Sequence, residues 1–243
     1  KLRREAKRAM NLQWIDSHRD EISQGMQWGV LNSFARTMLS QPDNLASNFG
    51  DRNLVEQSLI NCLQHISPHI PDLRELTRLK TEGKRFGMSY IFYAACMLLF
   101  EDHGTLASLD KSLLSILRTE TNHGNSEGAR LTHNAMMENV DQLLFPAGKG
   151  TEIFLRDYLE PQLEYPHPPL ELIMQPSVFD SIRGQLAIEW LGQYGTLPLN
   201  TARSLFKLAC REASSTELCH VITRRCEALQ SSHTDNTGDD KQE

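Results

Sequence analysis

The sequence predicts an all-α fold: an irregular multi-helix bundle around a central buried helix, with a C-terminal helical extension and a disordered tail. Residues 90–100 (YIFYAACMLLF) are eleven consecutive apolar residues. This run is too short to cross a bilayer, which needs about 20 residues, and is apolar on every side, as a helix buried in a bundle would be. Elsewhere apolar residues recur at helical spacing, and no convincing alternation of apolar and polar residues indicates a sheet.

Proline, glycine and capping residues place the ends of the predicted helices. Asp51 is a predicted N-cap, Gly104 a predicted C-cap and Asn200 a predicted N-cap. Helices are expected over 2–22 and 26–39, from Asp51 to before Pro68, from Pro71 to Gly83, over 90–103, from Thr105 or Ser108, and over 127–144, 177–194, 201–213 and 216–230. Turns are expected at 122–125 and 145–150.

The proline-rich segment YPHPP at 165–169 is the only plausible domain boundary, because three prolines in four positions cannot support a helix. The predicted organisation is therefore a helical domain over 1–164 and a C-terminal helical extension over 165–230. Residues 231–243 (SSHTDNTGDDKQE) contain no apolar residue and are predicted to form a disordered acidic tail.

The charge of the chain is unevenly distributed. The formal net charge is −6, yet five of the first eight residues are basic (Lys1, Arg3, Arg4, Lys7 and Arg8). The acidic remainder argues against direct nucleic-acid binding, which needs a larger basic face. The five cysteines are odd in number and form no CxxC pair, which suggests packed thiols in a reducing compartment.

No pattern in the sequence predicts a catalytic, cofactor or metal site. His65 and His69 are separated by Pro68, which breaks the helical register that a shared metal ion would need. The tryptophans Trp14, Trp28 and Trp190 lie among aliphatic residues and are predicted to be core. The GKG sequence at 148–150 is a weak phosphate-binding signal, and the cysteines at 210, 219 and 226 are predicted to pack as small apolar residues. An enzyme that uses Glu101, His103 and His123 is a further hypothesis.

The basic cluster at 1–8 is the best candidate for function that charge alone identifies. Arg4, Lys7 and Arg8 share a helix face, flanked by Lys1 and Arg3, and could bind a carboxylate-rich peptide or anionic head groups. A solvated helix beginning, or the positive flank inside a membrane anchor, explains the same residues.

Three segments resemble the cytoplasmic domain of the DotM (IcmP) family of type IVB secretion coupling-complex subunits. These are LRREAKRAMNLQW near the N-terminus, YAACMLLFEDHGTLASLDKSLLSIL at the buried helix, and NSEGARLTHNAM after it. The resemblance covers about residues 2–137. The tryptophan- and arginine-rich stretch of the family is replaced here by DKSLLSILRTE, so the chain is more similar to a divergent relative, such as the related TrbA of IncI-type conjugative plasmids.

The resemblance implies a non-enzymatic subunit at the cytoplasmic face of the bacterial inner membrane, without cofactors and anchored by helices upstream of Lys1. It implies docking on the coupling ATPase and other coupling-complex subunits, with a basic surface that receives acidic signals of secreted proteins. Carried over by position, Arg3, Arg4, Lys7 and Arg8 are the first binding residues, and Arg36 is the next. The alternative is a generic helical-repeat interaction domain of a larger signalling or defence protein.

Overall fold

The computed structural model describes residues 2–84, 86–120, 127–175, 177–212 and 214–235, and these residues form helices and turns with no β-strand. The all-α prediction is therefore confirmed. The chain divides into two compact units, residues 1–147 and 148–243. This division lies upstream of the boundary expected at residue 165, because Phe154 stacks on Phe179 and Arg156 pairs with Glu189, which ties the helix Thr151–Tyr158 to the second unit.

The first unit contains nine described α-helices: α1 (Leu2–Ser17), α2 (Arg19–Ser23), α3 (Trp28–Ser40), α4 (Leu45–Phe49), α5 (Arg52–Cys62), α6 (Leu73–Thr81), α7 (Ser89–His103), α8 (Lys111–Arg118) and α9 (Glu127–Leu144). Short 3-10 helices lie at Pro42–Asn44, Ser67–His69 and Pro146–Gly148. The described part of the second unit contains α10 (Thr151–Tyr158), α11 (Glu171–Met174), α12 (Arg183–Gln193), α13 (Leu199–Glu212) and α14 (Ser215–Asp235), with a 3-10 helix at Glu160–Gln162.

Helix α7 is the centre of the first unit, as predicted from its apolar sequence. Every residue from Ile91 to Leu99 is buried, and α3, α5 and α9 pack around it. Ala94 and Ala95 are fully buried, and their small side chains let neighbouring helices approach closely. The helix ends at Gly104, whose φ of 67° is the left-handed conformation that the C-cap prediction requires.

Local capping defines several helix starts. The Asp51 carboxylate accepts hydrogen bonds from the backbone N–H groups of Asn53 and Leu54, which confirms the predicted N-cap of α5. The prediction for α8 was wrong: the helix begins at Lys111, because Asp110 caps it by accepting from the N–H of Leu113 at 2.8 Å.

Gly25, just after α2, packs directly against the backbone at the end of α5. Its φ is +77°, and an added Cβ would lie 2.4 Å from the backbone nitrogen of Cys62. Only glycine fits a position with both constraints. The side-chain amide of Asn61 donates to the carbonyl of Ser23 at 2.7 Å and closes the same contact.

In the second unit α12 and α13 form an antiparallel pair. Arg183 at the start of α12 reaches Glu212 at the end of α13, with Nε and Oε2 2.7 Å apart. Gly184 allows this approach, since an added Cβ would lie 2.9 Å from the Cβ of Glu212. The core of the unit includes Trp190, which is fully buried.

Several predicted boundaries differ from the structure. The first predicted helix is broken at His18, the helix expected from Ser177 begins at Arg183, and Asn200 lies inside α13 rather than capping it. Helix α10 has no counterpart among the predicted elements. Residues 231–235, expected in the tail, continue α14, while 236–243 and the turn predicted at 122–125 lie outside the described residues.

Candidate binding surface on the first helix

Helix α1 packs against the rest of the first unit through one of its faces. Ile15 is buried and Leu12 is half-buried on that side, which faces α4 and α2. The Arg8 guanidinium donates to the backbone carbonyl of Ser47 in α4. These contacts fix which face of α1 is turned towards solvent.

The opposite face of α1 is apolar and exposed. Met10 is 70% exposed and Trp14 is 43% exposed, and Ala6, Ala9 and Gln13 are exposed with them. The prediction that Trp14 belongs to the core is wrong, because α4 covers the Leu12 side of the helix instead. Trp28 is half-buried, so Trp190 is the tryptophan that the core prediction placed correctly.

The predicted basic residues lie at the beginning of this helix. Positions 3, 7, 10 and 14 follow the i, i+4, i+7, i+11 spacing of one helix face, so the backbone places positions 3 and 7 in line with Met10 and Trp14. Position 4 lies at the edge of that face. The side chains of Arg3, Arg4 and Lys7 lie outside the described residues, and Arg8 is turned towards α4 rather than grouped with them.

A shallow cavity lies beside the exposed tryptophan. Its volume is about 210 Å³, and its lining includes Asn11, Trp14, Gly29, Val30, Ser33 and Phe49. Gly29 has open space beside it, since an added Cβ would meet no atom within 4 Å. The Trp14 ring is held at the edge by His18, whose ring stacks on it with centroids 4.3 Å apart.

Arg36 extends the same groove along α3. Gly29, Ser33 and Arg36 follow the i, i+4, i+7 spacing, so Arg36 lies one turn beyond the groove lining. Its guanidinium lies 4.6 Å from the centroid of the Tyr90 ring, and its Nε donates to Asn32 at 3.3 Å. A cation–π contact orients the guanidinium while its remaining N–H groups can still bind a carboxylate.

Within the residues that the structure describes, the other candidate positions do not come together in one site. Glu101 and His103 are exposed where α7 ends, and His123 lies outside the described residues. His133 is hydrogen-bonded through Nδ1 to the buried Tyr93 hydroxyl at 2.7 Å, and burial raises the pKa of Tyr93. Within the described ranges, no group of three or more His, Cys, Asp or Glu side chains is placed to hold a metal ion.

The cysteines divide into two classes. Cys62 and Cys96 are fully buried, and burial raises the pKa of the Cys62 thiol to about 12. Cys210, Cys219 and Cys226 are exposed, so the expectation that these three pack as small apolar residues is wrong. Their helices are covered on other faces.

The sequence predicted basic residues for this surface but did not predict its apolar part. A signal was present, because Met10 and Trp14 share a helix face with Arg3 and Lys7, and charged side chains are rarely fully buried. No helix in the described part of the chain is long and apolar enough to span a bilayer. Comparison of the chain with protein-family models, curated proteins and solved structures found no match.

Proposed function

We propose that this chain is the non-enzymatic cytoplasmic domain of an inner-membrane subunit of a type IVB conjugation or secretion coupling complex, acting as scaffold or substrate adaptor. The observation that carries the proposal is the exposed face of α1, where Met10 and Trp14 continue the line of the basic positions 3 and 7. The DotM-like segments described above supply the type of machine.

The chemistry of this face suits a peptide that combines acidic side chains with an apolar anchor. Arginine forks bind carboxylates, and opposite charge accelerates the encounter of the two partners. An exposed tryptophan beside a groove is the type of residue that dominates binding energy at protein interfaces. Glutamate-rich signals of secreted proteins are therefore the proposed ligands, with Arg36 as a second contact further along the groove.

The remainder of the proposal concerns assembly. The domain is held at the cytoplasmic face of the inner membrane by helices encoded upstream of Lys1 and docks on the coupling ATPase and other coupling-complex subunits. It makes no direct contact with nucleic acid. No step requires a cofactor.

Peptide binding tests the adaptor role. A fluorescein-labelled glutamate-rich peptide containing one leucine is titrated with the protein and followed by anisotropy. The triple variant Arg3→Ala/Arg4→Ala/Lys7→Ala should bind about tenfold more weakly, because three charge pairs are lost, and Trp14→Ala should weaken binding by a similar factor.

The matched control variant removes three positive charges at exposed sites away from α1. Arg74, Lys111 and Lys149 are exposed cations, and the triple variant Arg74→Ala/Lys111→Ala/Lys149→Ala should leave the affinity within about twofold of the starting protein. Equal weakening in both triple variants would show a general charge effect and contradict the α1 site.

Co-purification tests complex membership separately. The full-length protein, extracted from membranes with mild detergent, should bring down the coupling ATPase. A full-length protein that is soluble and unpartnered, or that carries a nucleotide-binding module upstream of Lys1, would refute membership and select the interaction domain of a signalling protein instead.

A further inference from the structure

The second unit has its own unpartnered helix face, on α13. Thr201, Leu205, Leu208 and Ala209 point into the unit and are at most 1% exposed. On the opposite side Leu199 is 74% exposed and Phe206 is 41% exposed, and Cys210 is exposed in line with them. Positions 199, 206 and 210 follow i, i+7, i+11 spacing, so they form one apolar strip along the helix.

A row of cations runs along one edge of this strip. Arg203, Lys207 and Arg211 are exposed and follow i, i+4, i+8 spacing. None of the three has an ion-pair partner among the residues that the structure describes, whereas Arg156 and Arg183 of the same unit are both paired. In a chain whose formal net charge is −6, three unpaired cations on one helix face form a local positive surface.

We infer that this face of α13 binds an acidic amphipathic helix of another protein. A partner helix with an apolar seam and acidic residues at i, i+4 and i+8 along one edge would bury Leu199 and Phe206 and pair each cation with a carboxylate. Coiled coils use the same arrangement, with apolar side chains along the seam and ion pairs between helices at the positions beside it. The strip from 199 to 211 is about 18 Å long, so the partner needs at least three helical turns.

Two other occupants fit the face less well. A second copy of the chain would place the Arg203–Lys207–Arg211 row of one molecule near that of the other, since the exposed face of α13 carries no acidic residue of its own. An anionic membrane would be bound by three cations and two large apolar side chains, which is a small apolar face for a membrane-surface helix. The position of the cations on one edge only also matches a helix partner rather than a flat surface.

The experiment uses the full chain and a synthetic helical peptide as the probe. The peptide carries leucines at the i, i+7, i+11 positions and glutamates along one edge, and two control peptides replace the glutamates with lysine or the leucines with serine. The acidic peptide should bind, and both control peptides should bind about tenfold more weakly or less.

The variants identify the face. Arg203→Ala/Lys207→Ala/Arg211→Ala and Phe206→Ala should each weaken binding of the acidic peptide by about tenfold. The triple variant at Arg74, Lys111 and Lys149 should not. All of these side chains are exposed, so the helical circular dichroism spectrum should be unchanged and unfolding cannot explain a loss.

Every alternative result overturns the inference. Binding that is lost in the Arg3→Ala/Arg4→Ala/Lys7→Ala variant but kept in the α13 variants would assign the peptide to α1. Binding to vesicles with anionic lipid but not to the peptide would identify a membrane surface. Self-association of the chain that Phe206→Ala abolishes, measured by sedimentation, would identify a second copy.

Discussion

Replacing Arg183 with methionine should strongly destabilise the second unit. The Arg183 side chain is 6% exposed and donates to the Glu212 carboxylate through Nε at 2.7 Å and Nη2 at 2.5 Å. It also donates through Nη1 to the carbonyls of Ile173 at 3.1 Å and Gln175 at 2.7 Å. One guanidinium therefore joins α11, α12 and α13.

The expected loss of stability follows from the polar groups that the substitution leaves without a partner. Removing one partner of a buried ion pair costs about 3 to 5 kcal/mol, and the lower end applies here because the Glu212 side chain is 20% exposed and partly hydrated. The Ile173 carbonyl is buried and loses its donor, which adds about 1 kcal/mol, while Gln175 is exposed and its carbonyl can bind water. The free energy of unfolding should fall by about 4 kcal/mol.

Urea unfolding measures this change. Trp190 is buried in the second unit, so a Trp14→Phe/Trp28→Phe background makes its fluorescence specific for that unit. Arg211→Met is the matched control on an exposed arginine and should change the free energy by less than about 0.5 kcal/mol. The double variant Arg183→Met/Glu212→Met should regain part of the loss, because no buried charge is left unpaired.

A loss below about 1 kcal/mol in Arg183→Met would refute the reasoning. So would a double variant that is less stable than Arg183→Met alone. Either result would mean that apolar packing of α12 against α13, and not the buried Arg183–Glu212 ion pair, holds the unit together.

Three further predictions concern local features. Gly184→Ala should lower the free energy of unfolding, measured in urea, by about 1 to 3 kcal/mol, because the new Cβ would clash with α13. Gly192→Ala is the control: its Cβ would lie 3.6 Å from the nearest atom, so this substitution should be neutral or stabilising. Tyr93→Phe should cost about 1 kcal/mol, since the 2.7 Å hydrogen bond to His133 is lost without a cavity; an unchanged urea midpoint would contradict this. The hydrogen bond from Arg19 and the cap N–H groups lower the pKa of Asp51, so as pH falls the unfolded state binds a proton at this carboxylate before the folded state does. The starting protein should therefore have a higher free energy of unfolding than Asp51→Asn above about pH 4, and this difference should disappear below the folded-state pKa. A difference in the free energy of unfolding that grows on acidification would contradict the prediction.

The helices themselves were largely readable from the sequence. The apolar run around α7, the Asp51 cap and the Gly104 end depend on residues close together in the chain, so local pattern and capping chemistry predict them. The helix over 127–144 was predicted with the bounds that the structure has. The elements that were not predicted also depend on nearby residues: α10 is a short helix between Pro146 and Pro161, and the start of α8 is set by the Asp110 cap.

The faces of the helices were decided by tertiary structure. Trp14 was expected to be core, yet α4 covers the Leu12 side of α1 and leaves Trp14 exposed, which turns a core residue into part of the candidate binding surface. Arg8 was grouped with its basic neighbours, yet Ser47, 39 residues away, holds its guanidinium on the other side.

What the sequence alone determined is therefore the set of helices and the uneven charge, because both are properties of neighbouring residues. What only the tertiary structure decided is which apolar and basic side chains remain exposed on α1 and α13, and that Arg183 meets Glu212 across 29 positions. Helical periodicity states that two residues share a face, but whether that face is covered depends on segments far away in the chain.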